Sequence, residues 1–77
     1  MSWNYRVLAS EHEGEVFFEI HEVYYDEENN PISYTANPVA ISGSDLEEVK
    51  WVLEKMKESL DRDLLLKGDK FPKKYNG

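Results

Sequence analysis

A chain of 77 residues without cysteine has room for one hydrophobic core, since it buries only about 60% of the surface its unfolded form exposes, and it excludes disulfides and thiolate metal sites. Sixteen acidic residues against nine basic ones give a net charge of −7, which repels a phosphate backbone and argues against autonomous nucleic-acid binding. The chain starts with no charged stretch leading into an apolar one and has no apolar run near the roughly 18 residues of a membrane span, so the expectation is a cytoplasmic protein with no membrane contact.

Trp3, Tyr5, Val7 and Ala9 alternate with Asn4, Arg6, Leu8 and Ser10, the period of two of a strand with one face on a core. Glu11 to Glu15 is polar, contains Gly14 and reads as a hairpin connection. Glu15 to Tyr25 is a second strand, with Val16, Phe18 and Ile20 on one face and Phe17, Glu19 and His21 on the other. There the alternation slips: Glu22 falls on the apolar face, and Val23 and Tyr25 leave it. One extra residue at His21-Glu22, a β-bulge, restores them; a continuous strand with Tyr24 inward is the competing reading.

Asp26 to Pro31 is charged and turn-prone and makes a second hairpin, followed by a third strand from Ile32 to about Ala36. Beyond Pro38, which cannot donate to a ladder, the chain is an edge segment or a loop, with Val39 and Ile41 able to fold inward. Ser44 and Glu47 have the spacing of a capping box and open a helix. Its stripe is Leu46, Val49, Leu53, Met56 and Leu60, widened by Val52. The expected fold is α+β: a three-stranded antiparallel β-meander packed against one C-terminal amphipathic helix.

Charge divides the chain unevenly. Residues 1–66 hold 15 acids and 5 bases, whereas residues 67–77 hold Lys67, Lys70, Lys73 and Lys74 against Asp69. The first part is expected to be the single domain and the second a basic, disordered tail.

Chemistry-bearing constellations are sparse. The two histidines, His12 and His21, stand in no spacing that metal sites or nucleophile-base pairs use. Glu19 and His21 share a strand face, close enough for a hydrogen bond or a shared cation. Ser42-Gly43-Ser44 has one glycine and reads as a helix start, not a phosphate loop. These features point away from an enzyme and imply no cofactor and no metal.

The aromatic residues carry more information. One helix can cover one sheet face only, so Leu8, Phe17 and either Val23 or Tyr24 are candidates for an apolar patch on the other, with His21 among them. Trp51 lies nearly opposite the centre of the helical stripe. Leu65 or Phe71 of the tail covers it, another chain does, or it is partly exposed; tryptophan is over-represented among interface anchors. Trp51, Phe17, Tyr24, His21 and Leu8 are the candidate interaction residues.

Trp3-Asn4-Tyr5-Arg6-Val7, Ile20-His21-Glu22-Val23-Tyr24-Tyr25-Asp26 and Leu46-Glu47-Glu48 resemble a family of small uncharacterised bacterial proteins, over about residues 3–61. That resemblance implies a bacterial cytoplasmic protein and no particular activity. More distantly, three strands and the Gly43-Ser44-Asp45-Leu46-Glu47-Glu48 helix start are similar in pattern to the HicB-type antitoxin domain, which implies an inhibitor that holds a small toxin. The expected function is a small non-enzymatic binding protein contacting protein, as a homodimer or with a basic partner that its acidic surface attracts. The alternatives are the antitoxin-like role and a metal or ligand module built on Glu19, His21 and Glu22.

Overall fold

The structure, a computed structural model, describes residues 2–76. Strand β1 (Ser2–His12) runs antiparallel to β2 (Glu15–Tyr25), in unbroken register from Ser2 opposite Tyr25 to His12 opposite Glu15. Glu13 and Gly14 connect them, both at positive φ (50° and 82°). A two-residue hairpin needs this handedness to match the strand twist, and glycine supplies it without strain.

No bulge interrupts β2 at His21-Glu22; the strand is continuous, and Tyr24 stands half-buried on the face that carries Trp3, opposite it in register. The apolar pattern changes face partway along because both faces of the sheet are covered. Val7 and Ala9 are buried on one, Leu8, His21 and Val23 on the other. The only register shift in this part of the sheet lies between Tyr24 and Tyr25, where β3 (Pro31–Tyr34) pairs antiparallel with β2. Asp26 holds that turn, its Oδ1 accepting from the Glu28 and Asn30 amides at 2.9 Å each.

Strand β3 ends before Ala36, but the chain keeps following β2: the Thr35 amide donates to the Glu22 carbonyl and the Val39 amide to that of Ile20. Val39 is half-buried, whereas Ile41 is exposed. Helix α1 (Leu46–Glu58) then starts one residue later than the capping-box spacing suggests. Its N-cap is Asp45, whose Oδ1 accepts from the Glu48 amide at 2.8 Å, while Ser44 Oγ donates to the Glu48 carboxylate at 3.0 Å. A carboxylate there also faces the positive end of the helix dipole, an advantage over a hydroxyl.

The helix and the 3-10 turn after it (Ser59–Asp61) lie against β1. Their buried residues are Val52, Met56 and Ser59, with Val49 half-buried, so the covered face is turned away from Leu46, Leu53 and Leu60. Having crossed the sheet, the chain adds β4 (Leu65–Leu66), parallel to β1 at Leu8 and Ala9. The sheet is therefore four-stranded and mixed, in the order β3-β2-β1-β4, rather than a three-stranded antiparallel meander. The α+β class stands. No helix among the described residues is long and apolar enough to cross a membrane.

Residues 67–76, expected to be a disordered tail, lie against the domain in this structure. The Lys67 amide donates to the Ala9 carbonyl, the Leu66 amide to that of Lys73 and the Tyr75 amide to that of Leu64. The Gly68 amide donates to Tyr34 Oη at 2.9 Å, and Phe71 meets Tyr34 edge to face at 4.7 Å. Four lysines mask two aromatic anchors, Phe71 and Tyr75, in the composition of this segment. Phe71 and Tyr34 close a core of Leu8, Val23, Tyr25 and Leu65. This is the cover for the sheet face that the helix leaves free.

Candidate functional site

The five candidate residues do not form one surface. Leu8 and His21 have no exposed area, so a contact surface has to run without them. Phe17 is exposed at the hairpin end on the His21 face, Tyr24 stands half-buried on the opposite face, and Trp51 is on the helix. Trp51 is on the same side of the sheet as Tyr24, whose register partner Trp3 lines a cleft with it, and is apart from Phe17.

His21 is held from all sides. Its Nδ1 donates to the Thr35 carbonyl at 2.9 Å and lies 3.1 Å from Thr35 Oγ1; its Nε2 is 3.4 Å from Glu19 Oε1; its ring meets Tyr34 edge to face at 5.5 Å. Lys67 Nζ reaches the same Glu19 oxygen at 3.3 Å. Partial desolvation pushes the Glu19 carboxyl up, but the hydrogen bonds and charges of His21 and Lys67 outweigh it and hold the group below its ordinary range. The cluster ties β2 to the C-terminal segment. Glu22 projects from the other face, where Tyr24 Oη donates to it at 3.1 Å, so Glu19, His21 and Glu22 do not converge. Among the described residues no three His, Cys, Asp or Glu side chains are grouped to hold a metal.

Two sides of α1 remain open. On one, Leu46 and Leu53 of the helix and Leu60 of the 3-10 turn that continues it are 85%, 47% and 68% exposed. A spacing of seven drifts only about 20° on an ideal helix, which holds from Leu46 to Leu53; the step to Leu60 enters the 3-10 turn, with about 120° per residue, and stays close to the same line. Lys50 and Lys57 border that row, also seven apart. The sequence contains this period, but periodicity alone assigns such a row to the core.

On the other side, both tryptophans of the chain wall a cleft of about 260 Å³ between the helix and the start of β1, lined by Trp3, Asn4, Tyr5, Trp51, Lys55, Glu58 and Arg62. Trp3 and Tyr5 meet edge to face at 5.2 Å, and Lys55 Nζ lies 5.9 Å from the Trp51 ring centroid while pairing with Glu58 at 3.3 Å. Trp51 is half-exposed, and neither Leu65 nor Phe71 covers it: both belong to the core on the far face. A second pocket of about 230 Å³ shares Trp3, Asn4 and Arg62 with the first and adds Ser2, Arg6, Tyr25 and Asn29. Arg6 donates to Tyr25 Oη and to the Asp63 carbonyl, both at 2.8 Å, and Tyr25 Oη donates to Asn4 Oδ1 at 2.7 Å. Sequence reasoning missed Arg6, Arg62 and Trp3, because only the folded chain brings the end of the helix over the start of β1.

No protein-family model, no curated protein and no solved structure matches this chain.

Proposed function

We propose that this chain is a non-enzymatic interaction protein that docks the leucine-bordered side of α1 on another protein surface, and that its first partner is a second copy of itself. The observation that carries this reading is the exposed row Leu46, Leu53 and Leu60, apolar side chains that the helix and the 3-10 turn after it hold away from the sheet. A row with period seven suits a two-fold helix pair, since each copy offers the same seam.

The size of the seam sets the strength. The three leucines expose about as much surface as two whole residues, and burying a leucine is worth roughly 1.5–3 kcal/mol. Set against the cost of association, two such seams give a weak, reversible dimer with a dissociation constant on the order of 0.1 mM. Weak pairing suits a surface that also exchanges with other partners.

A unique cysteine tests the reading, since the chain has none of its own. Either two-fold arrangement of the row brings residue 53 beside its copy. Leu53→Cys is expected to form a disulfide-linked dimer under mild oxidation well before Glu54→Cys, whose side chain lies about 100° around the helix. Equal rates for the two variants would contradict the seam.

A further inference from the structure

Lys55, Lys67 and Lys74 each pair with an acid, but six of the chain's nine cations, Lys50, Lys57, Lys70, Lys73 and the two arginines, Arg6 and Arg62, form no salt bridge among the described residues. The arginines differ from those lysines in lining one cleft together. Arg6 is bonded only to neutral acceptors, a phenol oxygen and a backbone carbonyl, and its Nε is buried without any partner. Arg6 as a whole is half-buried, and a guanidinium without a counter-charge gains from an incoming anion.

Both arginines line the second pocket, and Arg62 also lines the first, whose walls are Trp3, Tyr5 and Trp51. The one acid in either lining, Glu58, is already engaged by Lys55. One part of the joint cleft therefore offers aromatic side chains, a residue type that takes planar rings by stacking or edge contact, and the other part offers guanidinium groups without an acidic partner. A protein of net charge −7 that reserves both arginines for one place is arranged to take a negative charge there.

We propose that the two pockets are one binding site for a small planar aromatic ligand carrying an anionic group, its ring between Trp3, Tyr5 and Trp51 and its anion on Arg62 and Arg6. A volume of about 260 Å³ in the aromatic half is at the small end of ligand sites and suits a one- or two-ring system. The site lies on the side of α1 away from the leucine row and does not depend on self-association.

Two indole N–H signals, one from each tryptophan in the chain, make nuclear magnetic resonance the direct test. In the Leu53→Glu background, which removes any effect of dimer formation, adenosine 5′-monophosphate and indole-3-acetate serve as phosphate and carboxylate probes. Adenosine and tryptamine serve as counterparts without the anion. At least one anionic probe is expected to shift both indole signals saturably, about tenfold more tightly than its counterpart. Which anion binds identifies the headgroup. Arg62 is exposed and makes no side-chain bond among the described residues, so Arg62→Gln should keep the fold, weaken the anionic probe about tenfold and leave its counterpart unchanged. No saturable shift with either anion up to about 10 mM, equal affinity for the counterparts, or indifference to Arg62→Gln would overturn the proposal.

Discussion

At the scale of single residues, the cluster of Glu19, His21 and Lys67 joins parts of the chain that are far apart in sequence. The carboxyls of Glu19 and Asp26 are both held below their ordinary range, the first by His21 and Lys67 against partial desolvation, the second chiefly by the Asn30 amide with that of Glu28. A group whose folded value is depressed binds its proton more readily when unfolded. Its stabilising effect is therefore present above the unfolded value and lost as pH falls through the folded one. Thermal melts should accordingly be flat from neutral pH down to about 5 and fall below about 4, and Glu19→Gln should flatten part of that fall; a fall of unchanged size in the variant would remove Glu19 from the account. The sequence shows that Glu19 and His21 share a face within reach of each other. It does not show that His21 is buried, because the cover arrives with residues 67–76.

At the scale of elements, the helix was legible as an amphipathic element, but its angular setting was not. Its apolar arc is broad, running from Leu46 round to Val52, and periodicity averages over that arc instead of choosing the part that faces the sheet. The structure chooses Val52, Met56 and Ser59, the last donating its hydroxyl to the Met56 carbonyl. The consequence is a contrast between neighbours of similar hydrophobicity. Met56→Ala should cost about 2–4 kcal/mol in chemical denaturation, the usual range for a buried large-to-small change. Leu53→Ala should cost less than about 1 kcal/mol in dilute solution. The reverse order would restore the stripe centred on Leu53. The suspected bulge failed for a related reason: a change of apolar face along β2 signals either one extra residue or a sheet covered on both sides, and nothing local distinguishes the two.

At the scale of the whole molecule, α+β class, two hairpins and a following helix could be read from alternation, turn residues and period. The fourth strand could not. Leu64-Leu65-Leu66 has no alternation, and its pairing with Leu8 and Ala9 spans most of the chain. The segment after it contributes Phe71 to the core and Lys67 to Glu19, so a chain ended after Leu66 should melt roughly 10 °C or more below the full one, given about 4–8 °C per kcal/mol for a domain of this size. An unchanged melt would return residues 67–76 to the status of a tail. The same view of the molecule leaves one apolar row without a partner, and self-association through it is the account's central claim. Sedimentation equilibrium between about 10 µM and 1 mM tests it most directly. Two copies of net charge −7 repel each other, and salt screens that repulsion. The account therefore predicts a monomer–dimer equilibrium that tightens from low salt to about 0.5 M and vanishes in Leu53→Glu; a monomer throughout, or a dimer untouched by Leu53→Glu, would contradict it.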